Sequence, residues 1–335
     1  MSNIKDVAKL AGVSISTVSR TLSGKIFVEE STKQKVLAAV NELHYKPNIM
    51  AQGLREGKTH TLAFLVPDIN SFFYPAIMNS VEKYASLQGY SLMLCNNNKS
   101  IRQEKQNLGM LLQRQVDGIL CMSVEDKVEH LVKAQAESDI PIVLINRFSE
   151  QPISSIMADN YYGGYLMAKY LLDHGHRRIG CMFESFTQER YRARYAACQQ
   201  ALNEYGIKDN EKFFSGNIGS IEAAHDQTIK WLKRKDRPTA ILTAIDTLAL
   251  GIYSGIRESG LTIPDDVSVI GFENIFITKY MSPPLTTHNF PTDLLAQEAI
   301  NCLLGQINGG WKDHIQKKIF QGSLVIRNSV KKITP

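Results

Sequence analysis

A short run near the N-terminus carries side chains well suited to recognising another molecule. It contains Ile15, Ser16, Thr17, Ser19 and Arg20. Hydroxyl groups can bond to a base edge or to a phosphate, and an arginine can make two parallel hydrogen bonds to a guanine. An isoleucine offers an apolar contact to the methyl group of a thymine. Recognition of a nucleic acid is therefore the chemistry that this spacing favours.

Three short helices are predicted to position this run. Asn3 is expected to cap the first helix, with Asp6 completing a capping box and Gly12 ending the helix. Ser14 is expected to cap the second. The stretch 31–34 (Ser-Thr-Lys-Gln) is interpreted as a capping box that opens the third. This order predicts a helix-turn-helix whose second helix enters the major groove, with a generic three-helix cap as the alternative.

The distribution of charge agrees with this interpretation. Residues 1–60 contain nine Lys or Arg and five Asp or Glu, a net +4, whereas residues 61–335 contain 29 and 28, a net +1. A basic head on a nearly neutral body is the pattern expected of a protein that binds nucleic acid. A solvated charged face would give the same pattern, so charge alone leaves both interpretations open.

Several function classes are disfavoured by what the sequence lacks. The five cysteines form no CxxC pair, which favours reduced thiols in the cytoplasm over a disulfide framework or a zinc site. The N-terminus has no apolar signal core, and no apolar run approaches the roughly 18 residues of a membrane span. No phosphate-binding loop, HExxH or Ser/His/Asp pattern is present. We therefore expect a cytoplasmic protein with no catalytic residues, no metal, no cofactor and no contact with a membrane.

Beyond residue 60, short apolar runs alternate with amphipathic segments, which predicts two doubly wound subdomains with parallel sheets. The predicted strands are 62–66, 91–94, 118–121, 142–145, 179–182, 240–243 and 267–270, with a last strand at 323–327. The predicted helices are 75–88, 101–115, 128–138, 162–174, 191–205, 223–235 and 247–259. Open sheets of this type bind ligands beyond the carboxyl ends of their strands, so two facing sheets predict a hinged cleft.

Candidate ligand contacts follow two of these strands. Phe72, Phe73 and Tyr74 follow the first, although three adjacent aromatic residues often belong partly to a core. Asn146 and Arg147 follow the fourth. Four arginines could approach one end of the cleft, which suggests an anionic ligand. They are Arg147, Arg190, Arg192 and Arg194, and the alternative is that Arg190 and Arg192 are solvated surface charges.

Ordered stretches along the whole chain resemble the LacI/GalR family of transcriptional regulators. In the head they are IKDVAKLAGVS (4–14), STVSR (16–20), HYKPN (44–48) and AQGL (51–54). In the body they are DGI (117–119), HGHR (174–177), RPTA (237–240), DTLALG (246–251) and PPLTT (283–287). The resemblance implies a small all-α helix-turn-helix head and an α/β periplasmic-binding-protein-like body of two doubly wound parallel-sheet subdomains.

The resemblance also implies a domain organisation. The head would span 1–46 and bind DNA, and 47–60 would form a hinge helix and linker. The body, 61–335, would bind an effector and dimerise. Its N-subdomain would contain about 61–159 and 292–320, and its C-subdomain about 160–291 and 321–335.

Hinge helices of this family fold on operator DNA and pair in the minor groove. A helix from Asn48 to about Arg55 would place Leu54 as the wedge between base pairs and Ala51 at the close approach of two helices. An ordinary linker is the alternative. No leucine heptad follows the last predicted strand, so a homodimer on a pseudo-palindromic double-stranded operator is expected.

Effector contacts are implied in the same way. Arg194 matches the effector-binding arginine of the family, and Asp246 matches an aspartate at a strand end. Glu273 stands where the family usually has aspartate, and Asn289 is expected to be a polar contact. The sequence thus predicts a repressor, most simply of a carbohydrate-utilisation operon, controlled by a sugar or sugar phosphate. The alternative is a sugar-binding protein of a transporter, which the basic head and the missing signal peptide disfavour.

Overall fold

The computed structural model describes residues 2–23, 27–45, 58–208, 211–310, 312 and 314–334. The chain forms two compact units, Met1–Thr59 and His60–Pro335. The hinge predictions at Asn48, Ala51, Leu54 and Arg55 lie outside the described residues. Among the residues described, no helix combines the length and the apolar character that crossing a membrane requires.

The first unit is helical, as predicted. Its helices are α1 (Ile4–Ala11), α2 (Ile15–Ser23) and α3 (Glu30–Glu42). The capping box of α1 is confirmed, because Asn3 Oδ1 accepts from the Asp6 amide at 3.2 Å and Asp6 Oδ2 accepts from the Asn3 amide at 2.8 Å. Gly12 ends α1 in the left-handed conformation, with φ 66°. Ser14 Oγ accepts from the Thr17 amide at 3.1 Å and so caps α2.

The predicted capping box of the third helix is wrong. Helix α3 begins at Glu30, two residues earlier than a box capped by Ser31 requires, and Glu29 precedes it without a side-chain cap. Ser31 therefore lies inside the first turn, where its hydroxyl donates to Glu29 at 3.0 Å. Gln34 donates to Glu30 at 2.8 Å instead of reaching back to a cap residue.

The second unit contains two sheets, each covered by helices on both faces. The first subdomain contains β1 (Thr61–Val66), α4 (Tyr74–Leu87), β2 (Ser91–Asn96), α5 (Ile101–Gln113), β3 (Gly118–Cys121), α6 (Glu129–Ser138), β4 (Ile142–Ile145), β5 (Ser154–Ala158), α11 (Thr292–Gly309) and β11 (Lys317–Phe320). Its strand order is β11-β5-β4-β3-β1-β2, and all pairs are parallel.

The second subdomain contains α7 (Asn160–Asp173), β6 (Ile179–Met182), α8 (Glu189–Glu204), β7 (Phe214–Ser215), α9 (Ile221–Leu232), β8 (Ala240–Thr243), α10 (Asp246–Glu258), β9 (Ser268–Glu273), β10 (Thr286–Asn289) and β12 (Ser323–Val325). Its strand order is β12-β10-β9-β8-β6-β7, with β12 antiparallel to β10 and the rest parallel. The predicted fold class, a helical head followed along the chain by two parallel-sheet α/β subdomains, is confirmed.

The chain passes between the two subdomains three times. It crosses after β5, after β10 and after β11. Strands β1, β3, β4, β6 and β8 are apolar runs that are almost fully buried, as expected of parallel strands with helices on both faces. Their carboxyl ends therefore carry the first polar residues that can face the space between the subdomains.

Candidate functional site

The residues predicted to read DNA lie at the beginning of α2. Ile15 is 41% exposed, and Ser16 and Arg20 are also exposed, whereas Val18 is completely buried in the head. Ser14 Oγ lies 2.7 Å from Ser16 Oγ and 2.9 Å from Thr17 Oγ1, so the first turn presents three linked hydroxyl groups. This face of α2 combines hydroxyl donors, a cation and an apolar side chain, which are the groups that read base edges.

A cavity of about 380 Å³ lies between the two subdomains of the body. The segments that follow β1, β3, β4, β6 and β8 form most of its walls. Lys99 beyond β2, the last residue of β9 and the N-terminal parts of α8, α9 and α10 complete them. Seven predicted contacts line it: Phe72, Phe73, Tyr74, Asn146, Arg147, Arg194 and Glu273. The structure therefore brings most of the predicted effector residues together at the carboxyl ends of the strands.

Arg147 is fixed on the wall formed by the first subdomain. Its side chain is 3% exposed, Nε donates to the Ser123 carbonyl at 2.7 Å and Nη1 donates to the Asn146 carbonyl at 2.8 Å. Burial, together with the nearby Arg190 guanidinium, lowers the pKa of Arg147 to about 10. The side chain is therefore charged at neutral pH and is held by carbonyl groups rather than by a carboxylate.

Arg194 occupies the opposite wall. Its Nε and Nη2 donate to Asn160 Oδ1 at 3.1 and 2.8 Å, and Nη1 donates to the Ala244 carbonyl at 2.5 Å. The guanidinium also lies 3.6 Å above the Phe272 ring. Burial lowers the pKa of Arg194 to about 10. All three nitrogens thus have partners, so this arginine is already oriented before any ligand binds.

The two other arginines differ from each other. Arg192 is 51% exposed and pairs with Asp126 at 3.3 Å, which fits the alternative of a surface charge. Arg190 lines the cavity, and its buried Nη1 has no hydrogen-bond partner in the described part of the chain. Gln188, next to it at the beginning of α8, lines the same cavity and its buried Oε1 is equally unpaired there. Sequence reasoning did not select Gln188.

Acidic groups offset part of this positive charge. Lys99 lies 3.6 Å from Asp68 and 3.8 Å from Glu184, so this cation is balanced by protein groups. Glu184 also accepts a hydrogen bond from the Tyr191 hydroxyl. Burial raises the pKa of Glu273 well above its usual range, against the opposing effect of Arg194. Burial thus opposes ionisation of Glu273, while the neighbouring Arg194 guanidinium favours it.

Two predicted contacts lie outside this cavity. Asp246 is completely buried, where Oδ1 accepts from Thr287 Oγ1 at 2.7 Å and Oδ2 accepts from the Ile275 amide at 3.0 Å. Burial raises its pKa to about 7. Asn289 accepts from Asn274 at 2.9 Å and borders a separate surface depression. Both side chains are hydrogen-bonded to neighbouring segments, and neither lines the cavity.

The aromatic residues divide between core and cavity. Phe73 is 7% exposed and packs edge-on against Phe290 and Tyr74, with ring centroids 5.1 and 5.4 Å apart. Phe72 is 40% exposed and meets Phe276 at 6.4 Å. Phe72 and Tyr74 are thus the rings placed to contact a bound molecule, whereas Phe73 is mainly part of the core.

Comparisons with known proteins cover the whole chain. Residues 3–48 match the family model for bacterial regulatory proteins of the lacI family, and residues 168–330 match a periplasmic binding protein-like domain. HTH-type transcriptional repressor PurR of Photobacterium profundum is 36% identical over 99% of both chains. PurR of Vibrio vulnificus is 38% identical and covers 99% of this chain and 100% of its own.

Solved structures give the same architecture. A lac repressor dimer bound to operator and the anti-inducer ONPF has a TM-score of 0.89 at 27% identity, and covers 98% of this chain and 99% of its own. The regulator CelR in complex with cellobiose has a TM-score of 0.73 at 26% identity, with 98% and 100% covered. A LacI family regulator of Enterococcus faecium with bound ribose has the same TM-score and identity, with 82% and 100% covered.

Proposed function

The chain belongs to the LacI family of bacterial transcriptional regulators, and from this premise we propose that it is a cytoplasmic homodimer whose hold on a pseudo-palindromic operator is set by a small molecule in the cavity. It is a DNA-binding repressor and not an enzyme. Membership of this family decides against the alternative of a transport protein.

The unpaired polar atoms at the beginning of α8 carry the proposal. A buried donor and a buried acceptor without partners each cost free energy, so they are expected to be satisfied when the site is occupied. Arg190 Nη1 requires an acceptor, and Gln188 Oε1 requires a donor. The expected effector is therefore a small molecule that presents both kinds of group on one edge.

A purine is the effector that these features favour. Its ring edge carries donors and acceptors side by side, and its flat face suits the exposed ring of Phe72 and the half-buried ring of Tyr74, both of which line the cavity. The full-length relatives at 36% and 38% identity are named PurR, a purine repressor, whereas the structures that hold cellobiose and ribose are 26% identical. We therefore propose a purine effector in place of the carbohydrate control that the sequence suggested.

A sugar phosphate is the second candidate. Arg147 and Arg190 both line the cavity, and neither has a carboxylate partner within 4.0 Å among the described residues. Arginine binds phosphate with two parallel hydrogen bonds, so an anionic group on the effector would complement this wall. A purine nucleotide would satisfy both arguments at once.

The experiment begins with selection of the operator from random duplex DNA by the full-length protein. Operator affinity is then measured by fluorescence anisotropy with guanine, hypoxanthine, guanosine monophosphate, ribose and ribose 5-phosphate. We expect a purine to change the operator Kd at least tenfold. The R190M variant should lose that response, while its operator Kd without effector should equal that of the parent. No change with any compound, or an unaltered response in R190M, would count against the proposed site.

A further inference from the structure

A fully buried carboxylate lies behind the wall of the cavity. Glu104, in the first turn of α5, has no exposed surface and is not among the residues that line the cavity. Burying a carboxylate costs several kcal/mol unless donors replace its water. Four donors do so here. They are Asn97 Nδ2 at 3.1 Å, Ser123 Oγ at 2.7 Å, the Val124 amide at 2.8 Å and His130 Nε2 at 2.8 Å.

These donors come from three separate segments. Asn97 follows β2, Ser123 and Val124 follow β3, and His130 lies in the first turn of α6. In a parallel sheet each strand leads into a crossover connection, so the loops at the carboxyl ends of neighbouring strands are not joined to each other by the backbone. Side-chain contacts are then needed to fix the positions of these loops relative to one another. One side chain therefore joins the loops that form this wall.

The network reaches the cavity through the segment after β3. Val124 lines the cavity, and the Ser123 carbonyl accepts the hydrogen bond from Arg147 Nε at 2.7 Å. The carboxylate of Glu104 holds the amide of Val124 and the hydroxyl of Ser123, so it determines where that carbonyl points. The orientation of the Arg147 guanidinium depends in turn on this carbonyl.

We propose that Glu104 is a positioning residue for effector binding, which holds the Ser123–Val124 turn and through it aims Arg147 at the ligand. The inference rests on the proposed function, because that function supplies the effector that Arg147 would bind. Glu104 touches no ligand itself. It contributes by fixing the wall from which the Arg147 guanidinium can donate hydrogen bonds to an acceptor group of the ligand.

Two substitutions of similar size separate this role from simple packing. In E104Q the amide oxygen can still accept from Asn97 and Val124, and the new NH₂ can donate to the Ser123 hydroxyl and to the alternative tautomer of His130. E104M offers only a weak thioether acceptor in place of the two carboxylate oxygens, so the Val124 amide loses its strong partner. We therefore expect E104Q to preserve the cavity and E104M to release the turn.

The first test is a double-mutant cycle with R147M, measured by urea unfolding of the full-length protein without ligand. We expect the double variant to change the equilibrium constant of unfolding by at least about fivefold less than the product of the two single changes, because both residues act in one network. The matched control is Q135M, since Gln135 is also buried in this subdomain but accepts from the Ile142 amide at 2.7 Å, away from the cavity. Its cycle with R147M should be additive. Additive effects of E104M and R147M would overturn the proposal.

The second test uses guanosine monophosphate and guanine as probes in calorimetry. We expect E104M to weaken binding of the nucleotide about tenfold, and E104Q to stay within about threefold of the parent. Unchanged nucleotide affinity in E104M, or equal losses in E104M and E104Q, would overturn the role of the hydrogen bonds. If neither probe binds the parent protein, the proposed effector is wrong, and the ligand-free cycle still decides whether Glu104 positions Arg147.

Discussion

The buried histidine of strand β10 in the second sheet gives the sharpest prediction for stability. His288 is completely buried in β10, and its ring stacks on Phe272 at 4.3 Å. Neither ring nitrogen has a hydrogen-bond partner in the described ranges of the chain. Burial lowers the pKa of His288 from 6.5 to about 3, and the nearby Arg194 adds to this effect. The folded protein therefore keeps this ring neutral where the unfolded chain protonates it.

The magnitude follows from linkage. Between pH 6.5 and 3 the unfolded state binds one proton more than the folded state at this site, so stability falls as the pH falls. With these two pKa values, His288 costs about 2 kcal/mol of unfolding free energy between pH 7.5 and pH 5.0. We expect H288L to remove this cost, because leucine has a similar size and does not titrate.

Urea unfolding at pH 7.5 and 5.0 measures the effect, with the buried Trp231 of the same subdomain as the fluorescent probe. At pH 7.5 the variant should equal or exceed the parent, since two unpaired nitrogens are removed. At pH 5.0 its advantage should grow by about 2 kcal/mol. If the difference in unfolding free energy between H288L and the parent is the same at both pH values, the reasoning is refuted.

A second histidine provides a control of opposite sign. His225 contacts Asp226 at 3.0 Å and Glu258 at 2.9 Å, and these carboxylates raise its pKa. Its stabilisation is therefore present at low pH and is lost as the pH rises through the raised pKa. H225Q should lose stability relative to the parent as the pH falls, whereas H288L gains.

Three further predictions concern packing, DNA recognition and the cleft. G164A should cost about 1–3 kcal/mol in urea unfolding, because a Cβ there would lie 2.8 Å from the backbone of Arg194, whereas G109A, with open space around it in α5, should be neutral or stabilising. R20A should cost about 1–3 kcal/mol of discrimination at one base pair per half-site, measured by competition with single-base operator variants. D126A should cost about 1 kcal/mol in thermal unfolding, because this carboxylate of the first subdomain accepts from the first amide of α8 in the second at 2.7 Å.

Much of the body was predictable because its strands are short apolar runs. Four strands lie where the pattern predicts them to the residue: 118–121, 142–145, 179–182 and 240–243. Strand β10 gave no such signal, because it reads Thr-Thr-His-Asn. Its burial depends on long-range hydrogen bonds, such as that from the Thr286 amide to Ser329 Oγ at 2.8 Å. Strands 154–158, 214–215 and 317–320 and helix 292–309 were also not predicted.

The site was predictable to the level of segments but not of side-chain direction. Residues that follow parallel strands were expected at the cavity, and Arg147 is found there. Position along the chain could not separate Arg190, which enters the cavity, from Arg192, two residues later, which faces solvent. Residues two apart on a helix point to different sides, so only the packing of α8 decides between them. Asp246 follows a strand in the same way and yet is turned inward by two hydrogen bonds.

The two walls of the cavity are connected at a crossover by one amide side chain. Asn160 begins α7 directly after the chain leaves the first subdomain, and both polar atoms of its side chain are hydrogen-bonded. Its oxygen accepts twice from Arg194, and its nitrogen donates to Asn146 Oδ1 at 3.2 Å. The Asn146 carbonyl accepts in turn from Arg147 at 2.8 Å. A ligand that draws either arginine toward itself must therefore strain this chain of bonds, and we expect occupancy of the cavity to bias the angle between the subdomains through Asn160.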